Sequence, residues 1–376
     1  MKTSVREPIV RFVVKHPWIT AGALASVIGL VAGLVVVSGI VPVKASSGHW
    51  WITAKLLDFA KLQSVRTHSF RIHAPDLGAA SLVIRGAGHY ALGCEPCHGA
   101  PGVDVPPVMA AMTPPPPALT AESLGRWNAP QLFSIVKHGI KFTGMPGWPV
   151  QQRDDEVWAM VAFLGRMSRM NESEYRRLAY GGRGEPTPDD LSTPDTPQLV
   201  RDLCWRCHGS DGTGRGNGAA PSLAGQRAAY LHASLRAFAD RTRFSGTMSE
   251  VASKLSDGAM RDMAAHFERL PPRAARRTAD SASLRRGSIV ATQGLPARDV
   301  PACVECHGPA ATPKNPAYPT LAGQHAEYLV QQLELLKQRR RGGSPRVNLM
   351  HEVVERLDPA DIRDVAQYYA AGAPAF

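Results

Sequence analysis

The sequence predicts an all-α protein with an N-terminal transmembrane helix followed by three small helical domains. Apolar residues recur at i, i+3 and i+7 in successive segments, which is the period of an amphipathic helix. No segment shows the apolar–polar alternation of a half-buried strand. A short cysteine-containing sequence also occurs three times, at intervals of about 100 residues, a typical size for a small domain.

The composition sets limits on the class of protein. The chain has 376 residues, enough for two or three domains, and a formal net charge of +11. Part of that charge lies in residues 1–16, ahead of any predicted domain. Because no aromatic residues accompany the basic ones in the manner of a nucleic-acid interface, we expect no nucleic-acid partner.

The first element is a predicted membrane anchor. Residues 1–16 are expected to lie in the cytoplasm and residues 17–43 to cross the membrane. Residues 18–41 carry no charge, and a helix of that length spans a hydrocarbon core of about 30 Å. The preceding basic residues predict a cytoplasmic N-terminus. The alternative is a signal peptide cleaved near Val43-Lys44-Ala45, although signal-peptide cores are usually only about 7 to 15 residues long.

Residues 44–77 are predicted to form an interfacial amphipathic segment. Trp50 and Trp51 stand at the start of a run in which apolar residues are interspersed with lysine and arginine. Such a helix can lie at the outer membrane surface with its tryptophans at headgroup level. An ordinary helix packed on the first domain fits the same pattern, so both interpretations stay open.

The repeated sequence is C-x-x-C-H, the attachment signature of c-type haem. The two thiols add to the porphyrin vinyl groups, and the histidine that follows becomes a ligand of the iron. A zinc site would need a second Cys or His pair nearby, and the three motifs together use all six cysteines. We therefore expect three covalently bound haem c groups. The predicted haem-binding residues are Cys94, Cys97, His98, Cys204, Cys207, His208, Cys303, Cys306 and His307.

The motifs divide the remaining chain into three predicted domains. These are residues 78–180, 198–270 and 283–376, the last two being more alike. Segments 181–197 and 271–282 are predicted linkers, because they are rich in Pro, Gly, Arg and Ala and show no apolar period.

The second and third domains are internal repeats. Pro221-Ser-Leu-Ala-Gly-Gln226 matches Pro319-Thr-Leu-Ala-Gly-Gln324. The closing helices, 255–267 and 357–369, match as well, whereas 154–167 closes the first domain. The second domain departs from the pattern, since only a short, weakly helical stretch, 197–203, precedes its motif. Its first helix is therefore in doubt.

Each iron needs a sixth ligand unless it stays open for chemistry. Methionine gives a low-spin electron carrier, and Met350 is the only methionine of the third domain. Met248 and Met145 follow the other two motifs at similar intervals. The predicted iron ligands are His98, Met145, His208, Met248, His307 and Met350. The alternatives that stay open are Met109 and Met112 in the first domain, and bis-histidine ligation through His138, His232, His266, His325 or His351.

A Pro-x-Leu sequence lies between motif and methionine in each domain, beginning at Pro117, Pro221 and Pro319. A metal-bound histidine usually donates its other ring N–H to a fixed acceptor. We expect these proline carbonyls to accept that hydrogen bond, although prolines of this kind also serve simply as turns.

The order of elements in each domain resembles that of a class I c-type cytochrome. This order is a helix, the C-x-x-C-H motif, the Pro-x-Leu loop, the methionine loop and the closing helix. Residues 198–374 are similar to the diheme cytochrome c4 family, through C-x-x-C-H-G and Pro-x-Leu-Ala-Gly-Gln. The first domain, with Gly144-Met145-Pro146 and Trp148, resembles single-haem cytochrome modules of oxidases and dehydrogenases. The resemblance implies His–Met ligation of all three irons.

The expected function is single-electron transfer rather than enzymatic catalysis. The chain is interpreted as a triheme cytochrome anchored in a bacterial inner membrane with its haem domains in the periplasm. It would relay electrons in a respiratory chain from a quinol-oxidising complex to a terminal oxidase. The alternatives are an electron-accepting subunit of a periplasmic dehydrogenase and, third, a peroxidase-type haem enzyme, which would need an open iron site.

The linkers also predict a division of labour. The first domain, close to the anchor, would dock with a fixed membrane partner, while the C-terminal pair would reach towards a second redox protein. The competing expectation is that all three domains pack as one block.

Overall fold

The chain is helical wherever it is described. The structure, a computed structural model, describes residues 15–41, 44–181, 200–275, 280–308, 315–343 and 346–373. Within these residues, the only β-type pairs are the isolated bridges Ala100–Val103 and Leu295–Val300. The predicted all-α fold is confirmed for this part of the chain. The predicted cytoplasmic segment up to residue 14, Val43 and nearly all of the 181–197 linker lie outside it.

Two helices precede the first motif-bearing unit. Helix α1, Pro17–Val37, has a mean hydropathy of 2.3 and no buried residue. Its length and composition suit a membrane span and a signal sequence alike. Helix α2 is Trp51–Ser69, within the range predicted for the amphipathic segment.

The first unit, residues 72–180, has its own hydrophobic core. Its helices are α3 Ala80–Gly93, α4 Glu95–His98, α5 Pro107–Ala110, α6 Ala121–Gly125, α7 Ala129–His138, α8 Asp154–Met167 and α9 Glu172–Tyr180. Helices α3 and α8 cross closely because α3 carries Gly86 at the crossing. A Cβ at Gly86 would lie 2.1 Å from the carbonyl oxygen of Ala159, far inside contact distance.

Helix α2 contacts the first unit with only part of its length. Val65 and Ser69, near its C-terminal end, are buried, and the helix packs on α7. Trp51, Leu56 and Phe59 in its first half stay exposed. The helix therefore combines both interpretations left open by the sequence: packing at one end and an uncovered apolar surface at the other.

The second unit, residues 200–270, and the third unit, residues 280–373, have separate cores. The second contains α10 Trp205–His208, α11 Ala228–Ala239, α12 Met248–Ala252 and α13 Asp257–Arg269. The third contains α14 Ser281–Thr292, α15 Val304–His307, α16 Ala326–Lys337, α17 Val347–Glu355 and α18 Pro359–Ala370. In the third unit Gly287 repeats the role of Gly86, since a Cβ there would lie 2.1 Å from the carbonyl oxygen of Asp364.

The second unit has no counterpart of α3 or α14 among its described residues. Its motif is preceded by a single π-helical turn, Val200–Cys204, as the weak helical pattern predicts. Helix α3 of the first unit lies against it instead. A Cβ at Gly88 would be 3.1 Å from Sγ of Cys207, and one at Gly216 would be 2.7 Å from Cδ1 of Ile84. One helix thus packs on two units.

The N-terminal end of helix α8 connects the first unit to both the second and the third unit. Asp155 accepts a hydrogen bond of 2.5 Å from the Gln331 amide, and Asp154 lies 3.4 Å from the Arg340 guanidinium. Arg153 donates to the carbonyl of Phe244. These contacts join the three units into one block, contrary to the expectation that the C-terminal pair reaches away from the first domain. The acidic first turn of α8 is the physical reason, because it faces basic and amide side chains of the pair.

Candidate haem sites

Each C-x-x-C-H motif forms one helical turn, which brings its two thiols to the same side. The turns are α4, α10 and α15, and each ends at a glycine with positive φ: Gly99, Gly209 and Gly308. All six cysteines are free thiols. Burial raises the pKa of Cys94 and Cys204 to about 12 and that of Cys303 to about 11, so these thiols are neutral before any reaction.

The histidine of each motif has the same hydrogen-bond partner. Nδ1 lies 2.8 Å from the carbonyl oxygen of Pro117 for His98, 2.9 Å from Pro221 for His208, and 3.1 Å from Pro319 for His307. The three predicted hydrogen bonds are therefore present. Each Nδ1–H donates to a carbonyl, which leaves Nε2 as a metal-binding lone pair.

The histidines of the second and third motifs are also kept neutral by their surroundings. Both are buried, and burial lowers the pKa of His208 and His307. A neutral imidazole with a fixed tautomer is the form that binds iron.

A shared apolar cavity of about 440 Å³ connects the second and third motifs. Met248 and Met350, at the starts of α12 and α17, line it together with His208 and His307. Leucine is the commonest residue type in the remaining wall, which also contains valine and phenylalanine side chains. The structure thus brings each of these predicted methionine ligands to the same cavity as its predicted histidine.

Of the three candidate methionines of the first unit, Met109 contacts the motif and Met112 contacts the loop that carries Met145. Sδ of Met109 lies 3.8 Å from Sγ of Cys97, and a Cβ at Gly144 would be 2.1 Å from Cε of Met112. Met145 is held by its backbone N–H, which donates to the Thr143 hydroxyl at 3.1 Å. Met109, Met112 and Met145 are therefore all candidates for the sixth iron ligand at this site.

Most alternative histidine ligands have other partners. His232 pairs with Asp257 at 2.7 Å, His325 Nε2 lies 2.9 Å from the Thr213 carbonyl, and His351 Nε2 lies 3.0 Å from the Arg341 carbonyl. His138 is exposed at the end of α7, and His266 packs edge-on against Phe267. These contacts favour methionine in the second and third units.

Two arginines, the buried Arg243 and the half-buried Arg341, stand where the second and third units meet beside the cavity. Arg243 donates to Ser234 at 2.9 Å and to the Tyr328 hydroxyl at 3.2 Å, while Arg341 donates to Tyr230 at 3.4 Å. Burial would raise the pKa of Tyr230, but the two guanidinium groups outweigh it and lower that pKa to about 8. Within the described residues the side-chain partners of both arginines are hydroxyl groups and not carboxylates, and Nε of Arg341 is buried without a hydrogen bond.

This cluster fits a haem pair, because haem propionates would supply the missing negative charge. Motif searching missed these four residues, yet the repeat contains a signal. The spacing that relates Gln226 to Gln324 also relates Tyr230 to Tyr328 and Arg243 to Arg341.

Family models match three segments of the chain. Residues 82–164 match the family described as cytochrome C oxidase, cbb3-type, subunit III, and residues 196–272 and 297–370 match the cytochrome c family. A thiosulfate dehydrogenase electron acceptor of Thiomonas intermedia (strain K12) is 36% identical over 169 residues, covering 45% of this chain and 77% of that protein.

Two further relatives are cytochromes c4. The protein of Thiocapsa roseopersicina is 33% identical over 171 residues, covering 44% of this chain and 85% of the relative. A solved structure of Acidithiobacillus ferrooxidans cytochrome c4 is 30% identical, with a TM-score of 0.41, and the match covers 45% of this chain and 98% of that one.

Proposed function

Because this chain belongs to the class I c-type cytochromes and has a cytochrome c4-like diheme region, we propose that it is a membrane-anchored triheme electron carrier. The observation that carries the proposal is the threefold C-x-x-C-H turn with a histidine oriented by a proline carbonyl. It supports three attachment sites of one kind. Each haem c, once bound, supplies one-electron Fe(III)/Fe(II) exchange.

The protein's own residues fix how each haem would be held. The cysteine pairs 94/97, 204/207 and 303/306 would form the thioether bonds. His98, His208 and His307 would bind the irons on one side, and Met145, Met248 and Met350 on the other. The arginines 243 and 341 would neutralise propionates where the second and third units meet.

The packing supports a linear relay in which the second haem stands between the other two. Helix α3 contacts Cys207 through Gly88 and ends at Gly93, and Cys94 follows it, six residues after Gly88 or about 9 Å along a helix axis. On its other side the second unit shares a cavity with the third. Electrons would therefore enter at one end of the chain, cross the second haem and leave at the other end.

The N-terminal helix supports a location at the outer face of a bacterial inner membrane. In this proposal α1 is an uncleaved single-pass anchor with its N-terminus in the cytoplasm. The exposed tryptophans 50 and 51, which stand at the N-terminal end of α2, would lie at headgroup level. The haem units would then stay in the periplasm beside membrane-bound redox complexes.

Two electron donors are consistent with these features. The first candidate is a quinol-oxidising complex, with a terminal oxidase as acceptor, and the match of residues 82–164 to an oxidase subunit family favours that acceptor. The second candidate donor is a periplasmic dehydrogenase. A relative named thiosulfate dehydrogenase electron acceptor favours it, with sulfur-compound oxidation as the electron source.

Haem content and donor specificity test the proposal. Detergent-solubilised full-length protein should contain three haems by pyridine haemochrome assay, and acid-acetone should leave them on the polypeptide. Stopped-flow reduction by a quinol-oxidising complex and by a thiosulfate dehydrogenase should separate the two donors. Two haems or fewer would contradict the triheme assignment, and reduction by neither donor would contradict both donor proposals.

A further inference from the structure

Glu156 of the first unit is the most highly connected buried carboxylate of the described chain. It lies in the first turn of α8, and only 2% of its surface is exposed. Three donors and one cation surround it: the Trp148 indole at 3.0 Å, the Ser245 hydroxyl at 2.7 Å, the Gly246 amide at 2.7 Å and the Arg153 guanidinium at 3.0 Å. Two of these four partners, Ser245 and Gly246, belong to the second unit.

Three of its four partners, Trp148, Ser245 and Gly246, stand within three residues of a predicted iron ligand in the sequence. Trp148 follows Met145 by three residues, and Ser245 precedes Met248 by three. The Ser245 hydroxyl also accepts a hydrogen bond of 3.1 Å from the backbone N–H of Met248. The path from carboxylate to methionine therefore consists of two hydrogen bonds through one serine.

The loop that carries Trp148 and the loop that carries Gly246 pack closely against each other. A Cβ at Gly246 would lie 2.6 Å from Nε1 of Trp148 and 3.0 Å from the Glu156 carboxylate, so this position requires glycine. Arg153, which neutralises Glu156, also binds the Phe244 carbonyl of the same second-unit loop. A buried carboxylate with these partners is stable only while both loops stay in place.

We propose that Glu156 is a positioning residue for the axial methionines of two haems, holding the Met248 loop of the second unit and the Met145 loop of the first. This inference rests on the proposed haem function. It means that the sixth ligand of the second haem depends on a side chain from another unit. Loosening Glu156 should open the iron–sulfur bonds of the first two haems and leave the third unchanged.

The test measures displacement of methionine by imidazole in the ferric full-length protein. Wild-type protein should show three kinetic phases, and replacing Met145, Met248 or Met350 by histidine should remove one phase each and so assign them. Glu156→Gln should accelerate the first-haem and second-haem phases, each on the order of tenfold, since it weakens charge-assisted hydrogen bonds to both loops. Ser245→Ala should accelerate that phase alone, and Trp148→Phe the first-haem phase alone.

The matched control is Glu250→Gln, an exposed glutamate two residues after Met248 that pairs with Lys254 at 2.8 Å. It should leave all three phases unchanged. Equal acceleration of the three phases by Glu156→Gln, or none, would overturn the inference, and so would an unchanged second phase in Ser245→Ala. Failure of the haem proposal looks different, because wild-type protein would then lack three methionine-ligated irons.

Discussion

Gln226 and Gln324 each bind the backbone of the other's unit. Gln226 donates to the Thr320 carbonyl at 2.6 Å and accepts from the Thr320 N–H at 3.1 Å. Gln324 repeats this with Ser222, at 3.0 and 2.9 Å. Thr320 and Ser222 directly follow the two prolines whose carbonyls orient His307 and His208. Each glutamine thus stabilises the loop that fixes the predicted iron ligand of the opposite unit.

Replacing one of these glutamines should weaken both stability and haem geometry. Gln226→Leu would remove the two hydrogen bonds that Gln226 makes with the N–H and C=O of Thr320, at about 1–3 kcal/mol for each group. Urea unfolding should show that loss, and the reduction potential of the third haem should shift. The exposed Gln293→Ala should change the free energy of unfolding by less than about 0.5 kcal/mol. Equal effects of the two substitutions would argue against this role.

Met350→Ala should remove about a third of the near-infrared sulfur-to-iron band of the oxidised protein, because one of three methionine ligands is lost. Met248→Ala and Met145→Ala should each do the same. Met109→Ala and Met112→Ala test the alternatives at the first site. If either of these reduces the band while Met145→Ala leaves it intact, the ligand assignment in the first unit is wrong.

His89 predicts a pH dependence of stability. It stacks on Trp148, its Nδ1 is buried without a hydrogen bond, and burial lowers its pKa from 6.5 to about 4. The unfolded chain therefore binds a proton between these values that the folded chain does not. Stability contributed by neutral His89 is fully present above about pH 6.5 and is lost as the pH falls towards 4, by up to about 3 kcal/mol.

Unfolding curves measured from pH 4 to 7 on wild type and His89→Asn check this. The difference between the two proteins should become smaller as the pH falls, since asparagine does not titrate. A difference that is constant across this range would show that His89 is not the group responsible.

Gly86→Ala and Gly165→Ala should have opposite effects although both lie in helices of the first unit. The methyl group at residue 86 would overlap the Ala159 carbonyl, which costs about 1–3 kcal/mol or more. A Cβ at Gly165 meets nothing within 4 Å, so alanine there should stabilise by up to about 1 kcal/mol. Thermal unfolding of the two variants distinguishes them; a neutral Gly86→Ala would contradict the close helix crossing.

The prediction of a membrane anchor can be tested by measuring the mass of the mature protein and by deleting the N-terminal residues. Intact-mass analysis should show residues 1 to 45 retained, whereas a mature chain that begins at Ser46 would identify α1 as a signal peptide. A shortened protein starting at Gly48 should keep its haems, become soluble and accept electrons from a small-molecule reductant. It should lose most turnover with membranes, because tethering raises the effective concentration of the partner. Full turnover at equal concentration would contradict an anchoring role.

Local patterns predicted the helices well. The closing helix of the first unit runs from Asp154 to Met167, as its apolar period indicates, because acidic residues favour its first turn. The methionines 160, 260 and 263 are buried in cores, as the same period predicts. The role of the proline carbonyls was predictable too. A metal-binding histidine needs an acceptor for its other ring N–H, and each unit has a proline carbonyl at the corresponding place in the sequence.

Contacts between units were not predictable from the sequence. The run Asp154-Asp155-Glu156 has the composition of a solvated helix start, yet Asp154 and Asp155 contact the third unit and Glu156 the second. Nor does the sequence show that α3 packs on the second unit as well as on the first. The weak helical pattern before Cys204 indicates only that the second unit lacks a first helix of its own. Such contacts join residues about 90 to 180 positions apart, where periodicity carries no information.

Helix α3 also constrains the order of events by which the protein matures. Gly88 lies against the thiol of Cys207, which is only partly exposed once the first unit has docked. The enzyme that forms thioether bonds needs both thiols of a motif accessible. Haem would therefore have to be joined to the second motif while the first unit is still apart from it. Docking of the first unit would then follow haem attachment to the second motif and complete the packing around Cys207.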